Sequence, residues 1–149
     1  MTIEIATADP IDIPMLEAIA AECGLEVDFE AELARSFARL RVAREGRQIA
    51  GFLLAWRAAD ELHLTDLGVT ASARRRGVAR ALVDELCSEG SRSGTRAIFL
   101  EVRESNAPAI AFYTSLAFRE LDRRAHYYAD TGEDAVVMQL ELGSWSVSR

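Results

Sequence analysis

The stretch that decides the fold is LHLTDLGVTASARRRGVARAL, from Leu62 to Leu82. Its first part, as far as Val69, predicts a strand, and its last part, from Gly77, has the periodicity of an amphipathic helix. The loop between them carries three arginines directly before the glycine. A helix N-terminus has unpaired backbone N–H groups and a partial positive charge, so it suits an anion such as a phosphate. A basic helix cap beside solvent explains the same residues equally well.

The composition is that of one ordinary globular domain. The chain has 149 residues, of which 50% are hydrophobic and 28% are charged. No apolar run approaches the roughly 20 residues that cross a bilayer, and the N-terminus lacks the basic and apolar regions of a signal peptide. The net charge of −7 disfavours general nucleic-acid binding. We therefore expect a cytoplasmic protein that binds neither nucleic acid nor membrane.

Cysteine and histidine are sparse. Cys23 and Cys87 are isolated in the sequence, which excludes a disulfide framework or a zinc site. His63 and His126 are far apart and lack metal-ligand spacing. We expect no metal in this protein.

The chain predicts strand, two helices, three strands, helix, strand, helix and two strands, in that order. This order indicates a mixed α/β or α+β sandwich around one sheet, with a domain over residues 1–142 and a C-terminal tail over residues 143–149. Gly24 should end the first helix and Gly90 the third. Asp28 and Asn106 should cap the second and fourth helices. Strands are expected over residues 3–6, 41–45, 48–57, 61–69, 97–103, 119–128 and 134–142.

The first two helices are acidic. The second should bury a stripe of apolar side chains, and the acidic residues of the pair either border a site for a basic substrate or form a solvated face. The solvated face is the better interpretation, because charged side chains are mostly exposed. The expected stripe is Phe29, Leu33, Phe37 and Leu40, and the acidic residues are Asp12, Glu17, Glu22, Glu26, Asp28, Glu30 and Glu32.

Glu101 interrupts an apolar strand, AIFLEVR over residues 97–103. The composition of this strand predicts a central position with both faces covered. Alternation along the strand turns Glu101 to the opposite face from Leu100. An isolated buried charge is costly, so two interpretations remain open. Glu101 is ion-paired with an arginine, such as Arg103 or one on a neighbouring strand, or it is a general base in a groove.

Tyr113 follows on the next predicted helix. It forms an apolar stripe with Ile110 and Leu116, so its ring should pack inward. Most such tyrosines are core residues, and the alternative role is that of proton donor. A phenol with a pKa near 10 protonates a thiolate whose pKa is about 8.5 only with help from its surroundings. Neighbouring strand ends are expected to bring Tyr113 and Glu101 to one cleft.

These motifs resemble the GCN5-related N-acetyltransferase (GNAT) superfamily over about residues 3–142. The Arg74-x-x-Gly77-x-Ala79 turn after a strand is similar to that superfamily's acetyl-CoA pyrophosphate motif. The stretches LEVRESNAPAIAFYTSLAF, residues 100–118, and RRAHYYADTGEDAVVMQL, residues 123–140, resemble its ribosomal-protein-alanine N-acetyltransferase (RimI-type) branch. The resemblance implies an α/β (α+β) fold, a mixed central sheet of about seven strands with helices on both faces.

The resemblance also implies a role for each matching residue. Glu101 would be the general base and Tyr113 the general acid. Either Tyr127 or Tyr128 would border the peptide cleft, since adjacent strand residues point oppositely. Strand residues would line the acetyl and pantetheine end of acetyl-CoA, the loop would hold its pyrophosphate, and Asn106 would contact its arm. The implied acetyl-CoA residues are Leu67, Gly68, Val69, Arg75, Arg76, Gly77, Val78, Ala79, Arg80 and Asn106.

Three alanines depart from the family pattern. Ala71 stands where relatives often have proline and Ala79 where they often have glycine, and neither change threatens acetyl-CoA binding. Ala117 stands where the family usually has a helix-ending glycine. If the backbone is left-handed there, alanine costs about 1 kcal/mol of local stability.

The implied reaction is acetyl transfer from acetyl-CoA to the N-terminal α-amine of a protein, such as a ribosomal protein. Two other interpretations stay open, since superfamily members share the acetyl-CoA machinery but differ in acceptor. The acceptor is a small-molecule amine or a lysine side chain, or the chain is a non-catalytic acyl-CoA-binding module. The presence of both Glu101 and Tyr113 favours a catalyst.

Overall fold

A mixed seven-stranded sheet forms the centre of the molecule. The computed structural model describes residues 2–144. The strand order is β1-β2-β3-β4-β5-β7-β6, in which β4 and β5 run parallel and every other neighbouring pair runs antiparallel. The strands are β1 (Ile3–Thr7), β2 (Ala38–Glu45), β3 (Gln48–Ala58), β4 (Glu61–Val69), β5 (Ala97–Arg103), β6 (Arg119–Arg124) and β7 (Ala135–Glu141).

Helices cover both faces of the sheet, as predicted. Successive residues of β3 show why: Phe52 belongs to the core beneath α1 and α2, whereas its neighbour Leu53 belongs to the core beneath α3 and α4. This alternation is what a strand buried on both faces requires. The helices are α1 (Ile13–Glu22), α2 (Phe29–Ala34), α3 (Val78–Arg92) and α4 (Ala107–Ser115).

Most of the local signals in the sequence are confirmed. The β2–β3 hairpin turns at Gly46, whose φ is +63°. Asp28 caps α2 by accepting the backbone N–H of Ala31 at 3.1 Å. Asn106 caps α4 by accepting the N–H of Ala109 at 3.2 Å. These side chains satisfy N–H groups that the first helical turn leaves unpaired.

Two left-handed positions end helices as predicted. Gly24 follows α1 with a φ of +71°. Ala117 follows α4 with a φ of +75°, so the left-handed backbone considered for this position is present. Because alanine carries a Cβ, this position costs about 1 kcal/mol relative to glycine.

The predicted end of α3 is wrong. Gly90 lies inside the helix, which continues to Arg92, and Gly94 takes the left-handed conformation with a φ of +79°. Packing explains the internal glycine, because a Cβ on Gly90 would lie 2.7 Å from Leu142 Cδ1. Gly90 therefore allows α3 to approach the residue that follows β7.

The acidic helices also differ from the prediction. α2 stops at Ala34, so Phe37 is 42% exposed rather than buried. Asp12 is buried and accepts hydrogen bonds from Arg44 at 3.0 and 3.1 Å. Glu32 is buried and accepts a hydrogen bond from Trp56 Nε1 at 2.8 Å. Two of the seven acidic residues are therefore structural partners and not part of a solvated face.

The C-terminal strands are shorter than predicted. β6 ends at Arg124, and His126 has a φ of +53°, which strand geometry excludes. After β7, a short 3-10 turn spans Leu142–Ser144. The remainder of the predicted tail, residues 145–149, lies outside the described residues. No helix among residues 2–144 combines the length and the apolar character that spanning a membrane requires.

Candidate active site

The site begins where β4 and β5 separate. The two strands pair over only three positions, the last of which places His63 opposite Phe99. A register shift against β3 then leaves Thr65 as an extra residue in β4, and such bulges bend and twist a strand. The C-terminal halves of β4 and β5 therefore border an opening, which we call the β4–β5 cleft.

One wall of this cleft carries backbone hydrogen-bond donors. The N–H of Thr70 donates to the Ala50 carbonyl of β3 at 2.9 Å. Because N–H directions alternate along a strand, the N–H groups of Val69 and Leu67 point away from β3 and towards the cleft. Gly68, between them, faces α1, where a Cβ would lie 2.8 Å from Phe52 Cε1. Leu67 and Val69 thus line the cleft through their backbone. Gly68, which has no Cβ, leaves room for the Phe52 side chain in the core beneath α1.

A groove of about 270 Å³ lies at the N-terminus of α3, and we call it the α3 groove. Gly77 occupies the N-cap position with a φ of +83°, and Arg75 before it has a φ of +65°. A Cβ on Gly77 would meet no atom within 4 Å, so space for a ligand lies next to the helix N-terminus. The structure brings six of the predicted residues together there: Val69, Arg75, Gly77, Val78, Ala79 and Arg80.

Two other predicted residues lie apart from this groove. The guanidinium of Arg76 pairs with Glu45 at 2.6 Å and lines a different surface cavity. Asn106 uses its side-chain oxygen as the cap of α4. Arg75 and Arg80 are therefore the predicted arginines that line the α3 groove.

Glu101 on β5 is paired with a histidine. Its Oε1 lies 3.0 Å from Nε2 of His63 on β4. The Glu101 side chain is 12% exposed and that of His63 is 42% exposed. Arg103, which was considered as an ion-pair partner of Glu101, does not pair with it. Arg103 turns away and donates two hydrogen bonds to Asp130, each at 3.0 Å.

The pair opens into a cavity of about 580 Å³, which we call the β5 cavity. It lies on the sheet face opposite α3, because His63 and Glu101 alternate with residues of the α3 core. The prediction that both faces of β5 are covered is therefore wrong: Phe99 and Glu101 are only partly buried. The residues that line the β5 cavity include Glu61, His63, Phe99, Glu101, Asp122 and Arg124.

His63 was not among the predicted site residues, because the two histidines were considered only as metal ligands. The signal was the alternation along β4, where His63 lies between the buried Leu62 and Leu64. This places its side chain on the face that Glu101 occupies one strand away. Sequence spacing alone does not show that β4 and β5 are neighbours.

Tyr113 on α4 is 8% exposed, and its ring centroid lies 5.5 Å from that of Phe118. Burial raises the pKa of its phenol, and the nearby Asp66 carboxylate raises it further. Tyr113 does not line the β5 cavity. Its electrostatic neighbour Asp66 belongs to the part of β4 that borders the cleft.

Asp66 is a second partly buried carboxyl group on β4. Burial raises its pKa, a hydrogen bond from Thr65 lowers it, and the Glu32 carboxylate raises it. Within residues 2–144, Asp66 forms no ion pair with a basic side chain. The folded protein therefore holds an uncompensated carboxyl group beside the cleft.

Tyr127 and Tyr128 lie in the connection between β6 and β7, and not on the strand that the sequence predicted. Their rings meet edge to face with centroids 5.1 Å apart. The Arg103 guanidinium lies 4.1 Å from the ring centroid of Tyr128, whereas Tyr127 is 48% exposed. Arg103, two residues after Glu101, thereby holds this connection beside the strand that carries Glu101.

Comparison with known proteins identifies the family. The model of the acetyltransferase (GNAT) family matches residues 9–118. The [ribosomal protein bS18]-alanine N-acetyltransferase of Escherichia coli strain K12 is 34% identical over 119 residues, which cover 78% of this chain and 80% of that protein.

Solved structures agree with this match. The crystal structure of the ribosomal-protein-S18-alanine N-acetyltransferase from Escherichia coli has a TM-score of 0.85 at 28% identity, with 97% of both chains covered. Arabidopsis thaliana NAA60 in complex with acetyl-CoA shares the fold, with a TM-score of 0.83 at 22% identity over 96% of this chain and 100% of that one. The chain therefore belongs to the GNAT family of acetyltransferases, and it resembles the ribosomal-protein-alanine N-acetyltransferase branch of that family.

Proposed function

We propose that this acetyltransferase moves the acetyl group of acetyl-CoA onto the N-terminal α-amine of a cytoplasmic protein, such as a ribosomal protein. The observation that carries the proposal is the β4–β5 cleft, which has free backbone donors on one wall and the Glu101 carboxylate on the strand opposite. The similarity to a protein-alanine N-acetyltransferase over 80% of its length supports the choice of acceptor.

The α3 groove fits the diphosphate of acetyl-CoA. Its helix N-terminus offers backbone N–H groups and a partial positive charge, and Arg74, Arg75 and Arg80 add three cations. Val69 lines this groove and also borders the β4–β5 cleft. A molecule anchored at its diphosphate would therefore extend along β4, where the N–H groups of Leu67 and Val69 are available to its amides.

The acceptor amine must be neutral when it attacks the thioester. An α-amine has a pKa near 8 and a lysine side chain near 10.4. At pH 7, deprotonation therefore costs about 1 kcal/mol for the α-amine and about 3 kcal/mol more for lysine. Glu101 is the carboxylate that promotes this step, directly or through an intervening group.

The reaction then forms a C–N bond and breaks a C–S bond. A β4 backbone N–H, such as that of Val69, would stabilise the oxyanion that develops on the acetyl carbonyl. Tyr113 would donate its phenolic proton towards the departing thiolate. Burial raises the pKa of Tyr113, which keeps the phenol protonated as a hydrogen-bond donor to the thiolate but weakens it as an acid, so the thiolate completes its protonation from solvent.

The test is acetyl-CoA turnover against peptides that differ in where a free amine lies. One peptide has a free N-terminal alanine and no lysine, a second has a blocked N-terminus and an internal lysine, and the third acceptor is a small polyamine. We expect release of free thiol, and a mass increase of one acetyl group, with the first peptide only. Preferential acetylation of the lysine peptide or the polyamine would contradict the proposed acceptor. Tight acetyl-CoA binding without thiol release would contradict catalysis.

A further inference from the structure

The contact between His63 and Glu101 joins the two strands at the point where they stop pairing. His63 lies opposite Phe99 in the last β4–β5 pair, and Glu101 follows Phe99 on the same face of β5. The Nε2–Oε1 distance of 3.0 Å is that of a good hydrogen bond. The imidazole therefore lies at the inner end of the cleft, in contact with the residue to which the base role is assigned.

Exposure distinguishes the two partners. The Glu101 side chain is 12% exposed and the His63 side chain is 42% exposed, and both line the β5 cavity. The ring nitrogen Nε2 is occupied by Glu101, whereas within residues 2–144 Nδ1 accepts no hydrogen bond. His63 thus lines the cavity with Nε2 held by Glu101, and Nδ1 has no hydrogen-bond partner within residues 2–144.

Proton affinity favours the imidazole. An α-ammonium has a pKa near 8 and an ordinary glutamate a pKa of about 4.3. The equilibrium constant for proton transfer between them is therefore unfavourable by nearly four powers of ten. Transfer to an ordinary histidine, with a pKa of about 6.5, is opposed by only about one and a half powers of ten.

We propose that His63 is the proton acceptor of the reaction and that Glu101 orients it. The inference rests on the proposed function, since it assumes that an amine is acetylated in this cleft. The amine proton passes to Nδ1 of His63, directly or through one water, while the Nε2–H remains donated to the Glu101 carboxylate. The resulting imidazolium later releases the proton to solvent from its exposed side.

Glu101 is the charged group that contacts the His63 ring, and the other charged groups around the ring are engaged elsewhere or balance one another. Glu61 on β4 is engaged by Arg96, and the strand partners of His63, Trp56 and Phe99, are uncharged. Asp122 and Arg124 of β6 line the same cavity and have opposite charges. Tyr128, from the β6–β7 connection, interacts electrostatically with Glu101.

The first test uses single-turnover acetylation of the N-terminal alanine peptide from pH 5 to 9. We expect His63→Ala to lower the rate at pH 7 by about 100-fold or more, the usual size of general-base catalysis. The variant's pH–rate profile should differ in shape from that of the wild type, because it lacks the proton acceptor. Added imidazole should restore the rate of His63→Ala in proportion to its concentration, which a purely structural role would not produce.

His63→Gln is the matched control, because glutamine retains a hydrogen-bond donor for Glu101 but carries no titratable group. We expect His63→Gln to be as slow as His63→Ala. Wild-type rate and pH profile in the glutamine variant, or no rescue of the alanine variant by imidazole, would overturn the role of His63. A wild-type protein that acetylates no amine would instead overturn the proposed function and the proton route together.

The second test measures the pair without any acceptor. The chain has two histidines, so NMR of the ring nitrogens can follow His63 with His126 as an internal reference. The neutral His63 ring should carry its hydrogen on Nε2, because Glu101 accepts a hydrogen bond from that nitrogen. Replacement of Glu101 by alanine should change the tautomer of His63 and leave that of His126 unchanged. An unchanged His63 tautomer in Glu101→Ala would show that the carboxylate does not orient the ring, which contradicts the proposal.

Discussion

At the scale of single residues, Tyr113 combines a proposed catalytic role with a measurable effect on stability. Burial raises its pKa in the folded protein above the value of about 10 in the unfolded chain. Below about pH 10 the phenol is protonated in both the folded and the unfolded protein, so its ionisation does not affect stability. Above that pH the unfolded chain loses the proton first, and the free energy of unfolding falls.

Tyr113→Phe removes the hydroxyl and retains the ring. We expect the single-turnover rate at neutral pH to fall by about 10- to 100-fold, because the leaving thiolate loses its donor. Chemical denaturation at pH 7 and at pH 10.5 should show a smaller loss of stability in the variant than in the wild type. Full single-turnover activity in a folded variant would exclude Tyr113 as the acid.

Asp66 shows the same linkage in the acid range. Burial raises the pKa of Asp66, so the folded protein favours the protonated carboxyl group. Its favourable contribution to the free energy of unfolding is fully present below about pH 4 and is lost as the pH rises through the raised pKa. Asp66→Asn should therefore increase the free energy of unfolding at pH 7 and have little effect on it below pH 4. The control is Asp84→Asn on the exposed side of α3, where the change should stay within about 0.5 kcal/mol. Equal effects of both substitutions at pH 7 would contradict an uncompensated Asp66.

At the scale of elements, the N-terminus of α3 decides whether acetyl-CoA binds. Gly77→Val should lower acetyl-CoA affinity at least tenfold, because the new side chain would extend into the empty space beside the α3 groove. The left-handed backbone adds about 1 kcal/mol or more of strain.

Gly94→Val controls for that strain, because Gly94 is also left-handed and also has open space at its Cβ. It lies just beyond the other end of α3. Both variants should lose similar stability in thermal denaturation, and only Gly77→Val should lose affinity in calorimetric titration with acetyl-CoA. Wild-type affinity in a folded Gly77→Val would place the diphosphate elsewhere.

The β6–β7 connection is the element that should affect acceptor binding. Arg103 stacks on Tyr128, donates to Asp130, and thereby lowers the pKa of that carboxyl group. Its ion pairs lie at the surface and are partly exposed, so Arg103→Ala should change the free energy of unfolding by less than about 1 kcal/mol.

Arg103→Ala should nevertheless raise the KM for the acceptor peptide severalfold with little change in kcat. Arg119→Ala, at the opposite end of β6, removes a comparable exposed pair with Glu141 and should leave KM unchanged. Equal KM values for the wild type and Arg103→Ala would show that the tyrosine connection does not bind the acceptor.

At the scale of the whole molecule, local patterns predicted most of the elements but not how they meet. β4 and β5 have the predicted bounds because alternation and apolar runs are local properties. The predicted end of α3 was wrong because Gly90 is required by close packing against Leu142, which lies far away in sequence.

The candidate site divides in the same way. The α3 groove could be predicted, because a strand, a basic loop and a helix N-terminus follow one another along the chain. The His63–Glu101 pair could not, because it depends on β4 and β5 becoming neighbours across the intervening α3. The partner of Arg103 was missed for a related reason, since β6 ends early and its connection folds back over β5.

The most direct test of the account is a crystal structure of the protein with coenzyme A. We predict a diphosphate bound to the backbone N–H groups that begin α3, a pantetheine arm between β4 and β5, and a sulfur atom that faces the cavity containing Glu101 and His63. A nucleotide bound away from α3, or a sulfur atom separated from that cavity by the protein core, would contradict the account.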